Sequence, residues 1–325
     1  MVKKLISAAC ILSFFCAPVL FGQTEEEAAA AYNKGAGMVQ TDVQGAISAF
    51  EQAIELATKA GEAAKPIADN AKAAIPGLYK QIADKLLQEK KLDEALKAYE
   101  TAAAQAGKYG NEAVAQASKD AVPQINFALA GQALAARDYA SAVVLLDKVV
   151  AADATNLDAL FLKGEALRAG GQGSEAVAIY EQVIAKSTAA NLAEITEKAK
   201  KSAANVFLAE ASALMKEKKN AEALTSLEKA IGFDDANAGA LQTLVQLYAA
   251  GKQNDKVIET ATRFLEVKGG DPKASSTIYY FLGVAYQAKN NAAKACEAYK
   301  VAVSDKNPQI QAFVKGQMEQ VLKCK

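Results

Sequence analysis

Histidine and tryptophan are missing from this chain altogether, and 325 residues hold only six prolines and four cysteines. Without histidine, the commonest general base and metal ligand is gone. No Gly-x-Gly-x-x-Gly, Walker-type loop or Gly-x-Ser-x-Gly occurs either, and Gly170-Gly171-Gln172-Gly173 reads as a plain turn. Acidic pairs such as Asp93-Glu94 fall at helix starts, where they complement the dipole rather than form an acid/base couple. These gaps argue against an enzyme, and no cofactor or metal is expected. Formal net charge is zero, and since Lys3 and Lys4 lie in residues 1–22 the remainder is slightly acidic. Such a balance attracts neither nucleic acid nor an anionic membrane surface. Aromatics make up 7% of the chain, too few for the usual sandwich or barrel core.

What is present is apolar and rich in alanine. Apolar residues make up 51%, enough to bury a substantial core, and alanine favours closely packed helices. Residues 1–22 have the pattern of an export signal. Lys3 and Lys4 are followed by the apolar run Leu5 to Phe15, and Pro18 precedes a cut expected after Gly22. The run is short for a membrane span, although an uncleaved anchor is the alternative. Neither Cys10 nor Cys16 has the flanks of a lipid-attachment site, and no Asn-x-Ser/Thr sequon occurs. The expected location is the periplasm or cell envelope of a Gram-negative-type bacterium, with no integral membrane segment after cleavage.

The stretch from Ser276 to Pro308 shows the organisation of the rest. Tyr279, Leu282, Gly283 and Tyr286 share one helix face, and Ala295, Tyr299 and Ala302 share another after a polar turn at Asn290-Asn291. Small residues let two backbones approach, and the tyrosines fill the space beside them. The same signature recurs at Ala46, Ala95, Ala142, Ala176, Ala223, Val257 and Ala295. Four residues on stand Phe50, Tyr99, Leu146, Tyr180, Leu227, Ala261 and Tyr299, and three further stand Ala53, Ala102, Val149, Val183, Ala230, Phe264 and Ala302. The preceding helices carry Ala83, Ala130, Gly164, Ala211 and Gly283 at their small position, with Val245 the exception. The segment Ala31 to Val39 fits the pattern poorly. Asn156 and Asn237 are placed to cap the helices after them.

This pattern resembles the tetratricopeptide repeat (TPR) family, whose unit is a 34-residue helix–turn–helix. The resemblance implies an all-α, right-handed superhelical solenoid of about seven TPR-like repeats, some with lengthened helices, over residues 23–308. The marker spacings are 49, 47, 34, 47, 34 and 38 residues. The long ones imply inserted helical turns at about residues 61–75, 107–122 and 188–203, shared equally as about two turns per helix. Pro76 and Pro123 should kink their helices or start new ones. Residues 309–325 should form a capping helix with Ile310, Phe313, Val314, Met318, Val321 and Leu322 on one face. Cys296 and Cys324 come to the same end and are a candidate disulfide pair, provided that the tail folds back.

The family's peptide ligands usually lie against first-helix positions 2, 5, 9, 12 and 13. Carried over, those positions give Lys80, Asp84, Gln88, Phe127, Asp158, Phe161, Glu165 and Arg168, then Asn205, Ser212, Lys216, Gln242, Gln246, Tyr280 and Gln287. Phe127, Phe161 and Tyr280 are the expected anchors, since aromatic area dominates binding hot spots; packing of Phe127 and Phe161 within the solenoid is the alternative. Asp84 and Asp158 stand where the family's carboxylate clamp wants Asn and Lys, which argues against that activity. The implied function is an exported, non-enzymatic scaffold for a protein or peptide partner, with a small-ligand or glycan module of a nutrient-uptake system as the alternative.

Overall fold

The computed structural model describes residues 17–269 and 272–324, with side chains described for residues 24–269 and 275–324. Residues 1–16 of the expected export signal lie outside that range. Among the described residues there is no strand, and the architecture is an all-α solenoid of seven helix pairs with a C-terminal capping helix. The chain divides into two compact units at Ala154 and Thr155.

Unit 1 holds three pairs: α1 (Ala17–Met38) with α2 (Val43–Ala60), α3 (Lys65–Gln88) with α4 (Leu92–Lys108), and α5 (Glu112–Ala135) with α6 (Tyr139–Ala152). Unit 2 holds four: α7 (Leu157–Ala169) with α8 (Gly173–Ala189), α9 (Ala193–Lys216) with α10 (Asn220–Phe233), α11 (Ala238–Ala250) with α12 (Asn254–Val267), and α13 (Pro272–Ala288) with α14 (Ala292–Ala302). The cap α15 (Pro308–Gly316) packs on both helices of the last pair.

Burial follows the sequence pattern closely. Each second-helix marker, from Ala46, Phe50 and Ala53 to Ala295, Tyr299 and Ala302, is buried, and none is more than 4% exposed. The swapped sizes at Ala261 and Phe264 are accommodated with both side chains in the core. Close backbone approach explains the small first-helix residues. A Cβ on Gly164 would lie 2.6 Å from the Tyr180 ring, and one on Gly283 would lie 2.5 Å from Tyr299. The poorly fitting first repeat follows the same rule through Gly35, whose Cβ would meet Phe50 at 3.0 Å.

One turn joins most helices. The helix ends on a residue in αR or close to it, the next residue takes positive φ, and the one after donates its N–H back to the last turn. In the second pair Lys90 has φ 59° and Lys91 N–H bonds the Leu86 carbonyl at 3.0 Å. Arg137, Gly171, Lys218, Lys252 and Asn290 occupy the same place within their own pairs. Asn156 and Asn237 cap α7 and α11, accepting from Ala159 N–H at 2.9 Å and Ala240 N–H at 3.0 Å.

The lengthened helices are present, but the inserted residues are not shared equally. The first helices α3, α5 and α9 have 24 residues where α7 and α11 have 13. The second helices α2, α4 and α8 have 18, 17 and 17 where α6 and α10 have 14. Each insertion therefore adds about three turns to the later helix and about one to the earlier. The turn residue sets the division. Positive φ at Gly61, Gly110 and Asn191 closes each hairpin early, leaving most of the added residues to the next helix. Pro76 and Pro123 sit inside α3 and α5, which continue through them without a new start.

The cap differs from the expected single helix. After Gly316 the backbone passes through a π turn (Gln317–Val321), Lys323 takes φ 49°, and Cys324 N–H bonds the Met318 carbonyl at 2.8 Å. This fold-back joins Cys324 to Cys296 in a disulfide, their Cα atoms 5.6 Å apart. Val314 is fully buried and Ile310, Met318 and Leu322 pack beside it, but Phe313 is 41% and Val321 58% exposed. The π turn changes the helical register and turns Val321 outward, while Phe313, ahead of it in α15, is half open beside the Tyr280 and Tyr299 rings.

Candidate functional site

Three helix pairs share a clasp across the pair. The second-helix tyrosine reaches the first helix and donates its hydroxyl to a polar side chain there. Tyr99 donates to Asp84, Tyr180 to Glu165 at 2.6 Å, and Tyr299 to Gln287 at 2.8 Å. Burial, together with the adjoining carboxylate for the first two, pushes the Tyr99 and Tyr180 hydroxyls well above the usual phenol range. For Tyr299 the cause is burial, with Tyr280 adding to it.

Glu165, one of the expected groove residues, has three different hydrogen-bond partners. It accepts from Arg168 Nη2 at 2.6 Å, Tyr180 Oη at 2.6 Å and Ser202 Oγ at 2.7 Å, tying α7, α8 and α9 together. Burial alone would raise its pKa, but those three bonds outweigh it and hold the carboxyl below the ordinary range. Asp84 is likewise engaged, by Lys80 at 2.8 Å and by Tyr99.

Two clefts open on unit 2. The first, of about 610 Å³, lies between the start of α8 and the middle of α9, with Arg168, Ser174, Asn205, Phe207, Glu210 and Lys229 around it. Lys229 sits over the Phe207 ring, 5.4 Å from its centre, and Phe207 stacks on Phe233 at 5.8 Å. The second cleft, of about 650 Å³, lies between the start of α7 and the tip of the α8–α9 hairpin, and holds Asp158 and Phe161. Phe161 is half-buried with its ring tilted against Tyr180 at 5.9 Å. Unit 1 has a cleft of about 950 Å³ that includes Asp84 and Gln88, beside Asp42, Gln81 and Lys91.

The other expected residues are dispersed. Phe127 is half-buried on α5, and Ser212, Lys216 and Gln242 are exposed on α9 and α11, with Gln246 half-buried. The Ser212 hydroxyl bonds back to the Leu208 carbonyl at 2.9 Å, and Asn205 accepts weakly from Asn237 at 3.4 Å. Tyr280 and Gln287 face the chain's own cap. The Tyr280 ring meets Phe313 edge-on at 5.6 Å, and Gln287 Nε2 donates to Gln317 at 2.6 Å. Sequence reasoning passed over the wall residues Leu192, Glu194, Ile195 and Lys198, which line the second cleft. Their signal was the inserted stretch 188–203, read only as added length.

Residues 133–198 match a family model described as tetratricopeptide repeat. The fold is TPR-like. No curated protein matches the chain. Similar solved structures include MamA from Desulfovibrio magneticus RS-1, 19% identical over 60% of this chain and 96% of that one, with a TM-score of 0.34. YrrB, described as a TPR protein with an unusual peptide-binding site, is 19% identical over 59% of this chain and 90% of its own, with a TM-score of 0.37. The TPR domain of P58(IPK) is 14% identical over 91% and 98%, with a TM-score of 0.32. Likeness at this level bears on neither partner nor activity. Among the described residues no group of His, Cys, Asp and Glu is placed to hold a metal ion. No described helix is long and apolar enough to cross a membrane.

Proposed function

We propose that this chain is an exported, non-enzymatic scaffold that holds a protein or peptide partner in the envelope of a Gram-negative-type bacterium. The observation that carries the holding role is the pair of open clefts around α7, α8 and α9, each combining aromatic and charged side chains. Helical-repeat proteins use such extended surfaces for recognition rather than chemistry. Export is supported by the Lys3-Lys4 start and the apolar run after it. A Cys296–Cys324 disulfide suits the same address, since such bonds persist in oxidising compartments.

The test is expression with the natural N-terminus, cell fractionation, in-cell crosslinking and mass spectrometry. The expected result is an envelope fraction whose chain begins after Gly22, thiols that alkylate only after reduction, and a crosslinked protein. Retention in the cytosol with residues 1–22 attached and both thiols reactive would contradict export. A glycan-array signal without any crosslinked protein would favour the small-ligand alternative.

A further inference from the structure

We propose that the cleft between the start of α7 and the tip of the α8–α9 hairpin is a peptide site that takes a large apolar side chain next to Lys or Arg. This rests on the partner-holding reading and gives it a place and a chemistry. One wall exists only because α9 is lengthened. Its 24 residues, against 13 in α7 and α11, carry the segment 191–198 back alongside the first turn of α7. A pair of ordinary length would have no such wall, so the inserted turns create the cleft.

Leu192 is the residue that local stability does not explain. It occupies the N-cap of α9, makes no side-chain cap bond and is 48% exposed. Leucine is among the poorest residues at an N-cap. The helices α5, α6 and α7 use Asn111, Asp138 and Asn156 there, each accepting from the first turn. The helices α4, α8, α10 and α12 start without a side-chain cap but from polar residues, Lys91, Gln172, Lys219 and Gln253, so the exposed apolar side chain is what sets α9 apart. The Leu192 backbone is nevertheless held firmly. Its N–H bonds the Ser187 carbonyl at 2.8 Å, its carbonyl accepts from Thr196 Oγ1 at 2.8 Å, and Thr196 and Ser187 share a buried hydrogen bond of 2.7 Å. An apolar side chain is therefore presented to the cleft from a rigid tip, with Ile195 beside it and Phe161 opposite on α7. A local rule broken without a local gain points to a function.

The charges choose the occupant. The rim carries Asp158 and Glu194 against one amine, Lys198, which pairs with Glu194 at 2.7 Å. A mixed lining in which Phe161, Leu192 and Ile195 stand beside an acidic excess suits an apolar side chain flanked by a cation, and repels the same side chain flanked by a carboxylate. About 650 Å³ lies within the size range of sites for small ligands and short peptide segments.

The test uses the full chain and three fluorescent eight-residue peptides of Gly and Ser carrying a central Phe-Lys, Phe-Glu or Gly-Lys pair. By anisotropy, the Phe-Lys peptide should bind at least about tenfold more tightly than either control. Leu192→Asn should weaken that binding about tenfold or more while raising the melting temperature, because Asn caps α9 without changing the charge of the rim. Asp158→Lys should also weaken it. Equal binding of the three peptides, no binding of any, or affinity unchanged by Leu192→Asn would overturn the site. Binding lost in Lys229→Glu but kept in Leu192→Asn would place the peptide in the neighbouring cleft, overturning this site while leaving the partner-holding reading intact.

Discussion

The fourth and seventh helix pairs are built from the same parts and put to different ends. Each has a glycine, Gly164 or Gly283, under the ring of a buried tyrosine, Tyr180 or Tyr299. Each tyrosine hydroxyl crosses to the first helix, to Glu165 in one case and Gln287 in the other. Around the fourth pair α9 covers the first helix at Glu165, but the start of that helix, with Asp158 and Phe161, stays open and the lengthened α8–α9 hairpin walls it into a cleft. At the seventh pair that face is covered by α15 through Tyr280–Phe313 and Gln287–Gln317, and the covering is fastened by a disulfide. The same packing unit can thus present a surface or seal one, depending on the helix that comes next in the chain.

The largest way to break this comparison is to unfasten the cap. Cys324→Ser opens a loop of 28 residues and should cost about 3–4 kcal/mol. Hydrogen exchange should report the loss over α13 to α15 and leave α7 to α9 protected; uniform loss over all of these would contradict a local fastening.

Filling the glycine contacts should come next. Gly164→Ala and Gly283→Ala each force a methyl into a buried ring at about 2.5 Å, which should cost about 1–3 kcal/mol by chemical denaturation. A neutral result at either position would mean that the ring is free to move aside.

Removing the hydroxyls sharpens the contrast between charged and neutral acceptors. Tyr180→Phe takes a bond from a carboxylate and should cost about 2 kcal/mol, whereas Tyr299→Phe takes one from an amide and should cost about 1 kcal/mol. The pH dependence carries a sign. Glu165 has a lowered folded pKa, so its contribution is present above the ordinary carboxylate range and lost as pH falls through the folded value. Asp305 behaves likewise: burial alone would raise it, but bonds from Thr277, Asn307 N–H and Ser276 hold it low. Tyr180 and Tyr299 have raised values, so their contributions are present below about pH 10 and lost as pH rises through the folded values. Glu165→Gln should remove the acid step of the fourth pair and leave the Asp305 step in place, as read by residue-resolved exchange at pH 3 to 6 (roughly the carboxylate range).

The smallest expected effect is at the turns. Lys218 holds φ 63° without the freedom of glycine, and Lys218→Gly should stabilise by about 1 kcal/mol. A loss of stability instead would show that the lysine side chain contributes more than its backbone costs.

The helix pairs were legible because packing two helices closely demands small residues at fixed steps, and alanine or glycine at those steps is visible. The extensions were legible as length, but not their unequal division. A turn forms where one residue accepts positive φ, and Asn191 before Leu192 gives a weaker signal than Gly110 before Asn111. The tyrosine clasps had a signal that went unread: Asp84 and Glu165 each precede their tyrosine by 15 residues. The split cap was not legible, because a π turn depends on tertiary packing and leaves no local pattern. Tyr280 and Gln287 occupy the positions that family analogy gives to a ligand, and only the three-dimensional path of the tail shows that the chain covers them itself.

The most direct measurement places a photoreactive benzoylphenylalanine at Leu192 in one protein and at Tyr280 in another, with crosslinking in cells. Partner adducts from Leu192 and none from Tyr280 are predicted, since one side chain faces an open cleft and the other its own cap. Adducts from Tyr280 equal to or stronger than those from Leu192 would contradict the division of an open fourth pair from a sealed seventh.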